Sequence, residues 1–236
     1  MVHEVSVNVD VKRIDLDKNI VVDIIDEIAN EVIVNIYIQG RLAVSIPTSP
    51  YMFLELGLGY ALTHGLYVDE TRIIVKNLDI MLNGVLKKVM ICKDNKNVNK
   101  IDAQSVYRLF KEVMNKANLF KRTGCFHVAA IASLDGYILD LVEDISRHCA
   151  LYKVVGKVFQ RGIDFSKSIV IMSSRAASKL IEGIANICIP IAVFRGAPTE
   201  RAIEIAKRNG ITLIAHVREN KMNVYTGFER ILLEKT

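Results

Sequence analysis

The residues best suited to chemistry gather in three places along this 236-residue chain. The first is Thr123-Gly-Cys-Phe-His127, followed sixteen residues later by Glu143-Asp-Ile-Ser-Arg-His-Cys149. It offers a thiol on Cys125, imidazoles on His127 and His148, a guanidinium on Arg147 and two carboxylates. Glu143 and Asp144 read as opening a helix, where the dipole favours them and a structural role would suffice. A lone histidine is more often structural than functional, but two with an arginine and an acidic pair at one sheet end point to a site. The other two places are turns in which a strand gives way to a helix: Met172-Ser173-Ser174-Arg175 and Phe194-Arg195-Gly196-Ala197-Pro198-Thr199. Free backbone N–H groups, hydroxyls and a guanidinium converge in such turns, which suits a phosphate. Gly196 permits close backbone approach, Pro198 fixes the loop, and Thr199 or the turn after it caps the next helix. Every strand-to-helix connection needs capping residues. What sets this pair apart is its succession within the most basic third of the chain.

Other chemistries are excluded by spacing. A deaminase-type zinc site needs H-x-E or C-x-E with a later P-C-x-x-C. Here Val-Ala follows His127, and no P-C-x-x-C occurs. A serine hydrolase of the G-x-S-x-G type lacks its nucleophile elbow. The four cysteines, Cys92, Cys125, Cys149 and Cys188, form no C-x-x-C pair, which argues against a disulfide framework or a zinc ribbon. Cys92 is the best candidate for a reactive thiolate because it adjoins the lysine- and asparagine-rich stretch Lys93 to Lys100. Cys125 is its rival, if a helix N-terminus lies close. Cys188, in Asn186-Ile-Cys-Ile-Pro190, is expected to be buried and inert.

The elements that must hold these groups can be read from periodicity. Residues 31–48 predict a β-hairpin around Gln39-Gly40. Ser49-Pro50 then predicts the cap and first turn of a helix over Tyr51 to His64, closed by Gly65. Further β segments fall near 71–76 and 85–91, and Asp102 caps a helix to about Asn118. A tight hairpin surrounds Asp135-Gly136, and a helix covers about Ile145 to Phe159. Strands at 168–173, 189–194, 212–217 and 222–225 alternate with helices at 175–186 and 199–208, which predicts a largely parallel, covered sheet. The Lys93 to Lys100 loop is the best boundary. It divides an N-terminal α+β region, 1–98, from an α/β domain, 99–236.

Composition agrees with a folded domain: 51% of residues are hydrophobic and 24% charged. No stretch approaches the roughly 18–20 apolar residues of a membrane span. The start, Met1 to Asp10, alternates like a strand and has no signal-peptide pattern, so a cytoplasmic protein is expected. Residues 1–160 hold 19 basic and 19 acidic side chains, whereas 161–236 hold 12 and 7. The whole net charge of +5 therefore sits in the last third, where it suits an anionic ligand. No basic run, zinc finger or aromatic ribonucleoprotein motif supports nucleic acid.

These segments, in this order, resemble the FdhD family of formate dehydrogenase accessory proteins. Val34 to Pro50 and Glu55 to Gly65 resemble the family's N-terminal hairpin and helix. Thr123-Gly-Cys-Phe-His-Val-Ala-Ala130 resembles its T-G-G-x-H-x-A-A, and Glu143 to Gly156 resembles E-D-V-G-R-H-N-A-x-D-K-x-x-G. Ser173-Ser-Arg175, Phe194 to Thr199 and Asn223 to Ile231 close the match. The resemblance implies a cytidine-deaminase-like α/β domain with a mixed sheet and without zinc ligands. It also implies a sulfur carrier, working as a homodimer, that passes sulfur from a cysteine desulfurase to the molybdenum bis(guanine dinucleotide) cofactor. The client would be a formate dehydrogenase or a related molybdenum or tungsten enzyme. Phe194 to Thr199 would bind the cofactor, with Ser173, Arg175, His127, Arg147 and His148 nearby. The family carries sulfur on a C-x-x-C loop just before the helix placed at 102–118. Here Cys92 matches the first cysteine and Asn95 replaces the second. One thiolate suffices for a persulfide, though without a neighbour to resolve it. A module that binds the cofactor, or another guanine nucleotide, without transferring sulfur is the alternative. Cys125 and Cys149 stand where the family pattern has glycine and asparagine.

Overall fold

The computed structural model describes residues 4–87 and 100–233. The strands are β1 (Ser6–Asp15), β2 (Ile20–Ala29), β3 (Val32–Ile38), β4 (Arg41–Thr48), β5 (Leu66–Tyr67), β6 (Ile73–Lys76), β7 (Asp79–Leu82) and β8 (Leu86–Lys87), then β9 (Ile101–Asp102), β10 (His127–Ser133), β11 (Ile138–Asp144), β12 (Ser168–Met172), β13 (Ile191–Phe194), β14 (Thr212–Arg218), β15 (Lys221–Thr226) and β16 (Ile231–Leu232). The helices are α1 (Phe53–Thr63), α2 (Ala103–Lys116), α3 (Asn118–Thr123), α4 (Arg147–Gln160), α5 (Ser178–Asn186) and α6 (Glu200–Arg208).

A six-stranded sheet, β11-β10-β12-β13-β14-β15, forms the centre. Its inner strands β10, β12, β13 and β14 are apolar on both faces and bury both over most of their length, because a strand's side chains alternate. Ala129, Ile131, Val170 and Met172 face a core shared with α1, α4, α5 and α6. Val128, Ala130, Ile169 and Ile171 face a second core with α2. The result is a mixed α/β fold with helices on both sides of one sheet. Only β12–β13 and β13–β14 are parallel. The expectation of a largely parallel sheet is corrected: hairpins add β11 and β15 at the edges, and β10 runs antiparallel to β12.

The N-terminal hairpin forms as expected, with Gln39 and Gly40 both at positive φ in its turn. It belongs to a four-stranded sheet, β4-β3-β7-β6, that packs on α1. Ser49 does not cap α1. Met52 stands at that helix's N-cap in a left-handed conformation, and the Ser49 hydroxyl instead accepts the Ile145 N–H at 3.3 Å. Helix α1 closes at Gly65 (φ +70°), and Asp102 caps α2 through the Ser105 N–H at 2.7 Å, both as expected. Of the expected β segments near 71–76 and 85–91, β6 falls in the first range and β8 in the second, but β6 pairs with β7, and residues 88–91 lie outside the described residues. Residues 88–99, which include Cys92, Asn95 and the expected boundary, also lie outside them.

Helices α1 and α4 touch backbone to backbone. A Cβ added to Gly59 would stand 1.7 Å from the Tyr152 carbonyl oxygen, and one on Gly156 2.1 Å from that of Glu55. Only glycine fits at either point. One core therefore runs from Val34 to Ala215 without a break at the expected boundary.

Candidate functional site

The two sequence-predicted turns lie side by side at the carboxyl ends of the parallel strands β12 and β13, where ligands of open α/β sheets collect. Backbone bonds knit them together. Gly196 N–H donates to Ser174 O at 3.0 Å, Ala176 N–H to Ala197 O at 3.2 Å, and Thr199 N–H to Ala176 O at 3.0 Å. Gly196 is required here for space rather than for its φ, since an added Cβ would meet the Arg175 Cα at 2.9 Å. The next strand joins through His216 N–H, which donates to Gly196 O at 3.1 Å.

Above these turns opens a cavity of about 530 Å³ lined by His127, Arg147, Ser173, Ser174, Arg175, Arg195, Gly196 and Arg218. Four guanidinium groups meet there without a carboxylate. None of the four arginines has an ion-pair partner among the described residues. The Nε of Arg147 is buried with no hydrogen-bond partner, a rare and unfavourable state for a charged donor. The Ser173 hydroxyl accepts the Val128 N–H at 3.0 Å, which leaves its own proton free for a ligand. This is the donor set of an anion site. It continues into a second cavity of about 630 Å³, walled by Tyr107, Phe110, Met114, Phe120 and Phe126 and sharing His127, Ser173, Arg195 and Arg218 with the first. The pair offers cationic donors at one end and flat apolar surface at the other, complementary to a phosphorylated heterocycle.

The residues around Glu143 hold this floor in place. Glu143 and Asp144 end β11 rather than open a helix, which corrects the sequence reading; α4 starts at Arg147 with Ser146 as its N-cap. The Glu143 carboxylate accepts the Leu119 and Phe120 N–H groups at 2.9 and 2.8 Å, capping α3 from across the site. Asp144 is fully buried and paired with the equally buried Lys153. It also accepts the Thr48 hydroxyl at 2.8 Å and the Ser49 and Ser146 N–H groups at 3.2 and 2.8 Å. Lys153 donates to Ser49 O at 2.9 Å and sits 4.2 Å from the Tyr51 ring centroid. Burial lowers the Lys153 pKa while Asp144 opposes the shift.

Of the expected site residues, the structure brings together Ser173, Arg175, Arg195, Gly196, Arg147 and His127. Burial, then Arg147, lowers the pKa of His127. His148 lies outside the cavity, its ring 6.4 Å from that of Tyr152; burial, then Arg147, His64 and His127, holds it down at about 4. Phe194 is core, Ala197 and Pro198 serve the backbone lattice, and Thr199 caps α6. Arg218 was missed. Arg218 ends β14 after an irregularity in pairing between Ala215 and Arg218, where His216 has φ +56°.

The described cysteines divide sharply. Cys125 is exposed and follows Gly124, the C-cap of α3, rather than lying near a helix N-terminus as expected. Cys149 is buried, and burial plus Asp144 push its thiol up to about 11. Cys188 is half-buried, against the expectation that it is buried. Among the described residues no group of three or more His, Cys, Asp or Glu could hold a metal ion.

Comparison with known proteins places this geometry. The chain is 29% identical to a "Sulfur carrier protein FdhD" of Shouchella clausii, over 89% of this chain and 91% of that one. It is 32% identical to a "Protein FdhD" of Methanocaldococcus jannaschii, over 86% and 90%. Its fold is similar to a crystal structure from Desulfotalea psychrophila, described as a formate dehydrogenase accessory protein, with a TM-score of 0.81, 23% identity and coverage of 97% and 100%. The FdhD/NarQ family profile matches residues 82–232, the stretch that carries both turns, the Glu143–Lys153 network and all four cavity arginines, and the chain belongs to that family.

Proposed function

We propose that this protein is a sulfur carrier acting on a large phosphorylated cofactor, the molybdenum bis(guanine dinucleotide) form, for a formate dehydrogenase or a related molybdenum or tungsten enzyme. The observation that supports it is the joined cavity: four arginines without carboxylate partners and an orphaned Arg147 Nε beside an aromatic wall. Diphosphates would take the arginines and the Ser173 hydroxyl, and a guanine ring the aromatic end. The cofactor is cargo here, bound and released.

Sulfur would enter at Cys92, the family's first motif cysteine. The Cys92 thiolate attacks the outer sulfur of a persulfide on a cysteine desulfurase. The S–S bond there breaks, the desulfurase thiolate leaves, and Cys92 holds the persulfide. Handing the outer, zero-valent sulfur to the cofactor would break the Cys92 S–S bond and return the Cys92 thiolate. The two electrons that make that sulfur a sulfide would come from a reduced metal centre of the cargo. The same reading has the protein in the cytoplasm as a homodimer with a cytidine-deaminase-like domain; among the described residues no helix is long and apolar enough to cross a membrane. One observation favours the rival reading, a binding module that transfers no sulfur: Asn95 stands where the second motif cysteine would be, while both phosphate turns are kept.

Two measurements separate them. After incubation with a cysteine desulfurase and cysteine, mass spectrometry should find a persulfide on the wild type and on Cys125→Ser, but none on Cys92→Ser. Calorimetry with GDP should show binding, weakened in Arg175→Ala and Arg195→Ala by about 1.5–3 kcal/mol each, the range for hydrogen bonds to charged groups. Binding without any persulfide would select the binding module. No binding would refute both readings.

A further inference from the structure

Among the described residues that line the two joined cavities there is one carboxylate, Glu219. It lines the aromatic cavity alone, whereas its neighbour Arg218 lines both, which puts Glu219 on the apolar side of the join. A carboxylate works against a cavity that gathers anions, because it weakens the field that draws them in. Nor does Glu219 have an ion-pair partner among the described residues that would account for it.

Its backbone is as unusual as its charge. Glu219 and Asn220 form the two-residue turn between β14 and β15, with φ +46° and +62°. Such a turn takes the left-handed conformation at both positions and is ordinarily made with Asn, Asp or Gly. Asn220 fits that chemistry, but a long side chain such as Glu does not, and strain of this kind gathers at ligand-binding places. The turn is also fixed. Asn220 N–H donates to the Tyr107 hydroxyl at 2.9 Å, and the Tyr107 ring stacks on Phe110 with centroids 6.4 Å apart. Both rings are walls of the aromatic cavity, so the carboxylate is tied to the surface on which a flat heterocycle would rest.

Donor pattern says which heterocycle. Guanine presents two adjacent donors, N1–H and the exocyclic amine, which the two oxygens of one carboxylate accept side by side. Adenine has an unprotonated N1 in that place, whose lone pair repels a carboxylate. Resting on the cofactor reading above, we propose that Glu219 selects the base: its carboxylate accepts N1–H and the amine of guanine and turns adenine away.

Calorimetry with GDP, inosine diphosphate, ADP and inorganic pyrophosphate tests this. Inosine lacks the exocyclic amine, so wild-type affinity should fall in the order GDP, inosine diphosphate, ADP. Glu219 is exposed, and GDP should therefore lead ADP by roughly 10- to 100-fold, the discrimination of a bidentate pair rather than of a sealed site. In Glu219→Gln that lead should shrink to about threefold or less, while pyrophosphate binds as tightly as before or more tightly, since a negative charge has gone. Glu219→Gly relieves the left-handed strain, so its melting temperature should hold or rise although selectivity is lost. A wild type that does not distinguish GDP from ADP, a Glu219→Gln variant that keeps the preference, or a loss shared equally by pyrophosphate would each overturn the proposal. In those outcomes the wild-type cavity still binds phosphate and the cofactor reading stands. A wild type that binds neither GDP nor pyrophosphate would overturn both.

Discussion

Arg147 holds a charged nitrogen buried without a partner beside a half-buried histidine whose proton affinity burial depresses first and the Arg147 charge second. An anion in the cavity would supply the missing acceptor and cancel the field that lowers His127. Binding should therefore draw in a proton. Because the ligand raises the pKa of His127, affinity for GDP should rise as pH falls from 8 toward 6. Calorimetry in buffers of different ionisation enthalpy should show net proton uptake, lost in His127→Gln. His148 makes a separate claim on stability. Its folded pKa, about 4, lies below the unfolded value near 6.5, so the neutral form is favoured in the fold. Its contribution is complete above about pH 6.5 and disappears as pH falls toward 4. Urea melts should show less loss of stability over that window in His148→Gln than in the wild type. Residue types revealed the arginine and serine turns because Gly196, Pro198 and Thr199 are turn chemistry with sharp positional rules. Arg218 left no such trace, since the bulge that delivers it is built on His216 in a conformation where glycine would have been the signal.

The elements that position the site are coupled at two glycines. Gly156→Ala would drive a methyl into the Glu55 carbonyl, a backbone atom that cannot rotate away. The variant should lose at least about 1–3 kcal/mol in denaturant unfolding, the scale of overpacked cores, whereas Gly162→Ala, with open space around it, should lose only what its positive φ demands. The acidic pair shows where pattern reading stops. Glu143 and Asp144 look like the opening of a helix because carboxylates favour that place, yet both end a strand. Glu143 does serve a helix N-terminus, but that of α3, twenty-four residues earlier in sequence. Local propensity carries no information about a partner so distant. The β1–β2 ribbon was half legible: Met1 to Asp10 alternates, whereas Ile20-Val-Val-Asp-Ile-Ile-Asp26 does not, so the second strand gave a weaker signal.

At the scale of the whole molecule, alternating strands and helices announced an α/β sheet, but not that its two outer strands enter by hairpins. The expected division at residue 98 placed a boundary where composition changes. The core crosses it: Leu56, Leu58, Ile80 and Leu82 share one cluster with Leu151, Val155 and Leu180. A fragment covering 99–236 would uncover the side of α4 and α5 that α1 now seals, and should be recovered aggregated, unlike the full chain, in sedimentation assays. At the centre of that seam lies the buried Asp144–Lys153 pair. Loss of either partner strands a charge in the core, at about 3–5 kcal/mol, while joint replacement by apolar residues of similar volume can be neutral. Descendants of this chain therefore face a valley at these two positions. Neither can drift alone, and passage to an apolar pair requires both changes together or a stability reserve deep enough to survive the intermediate.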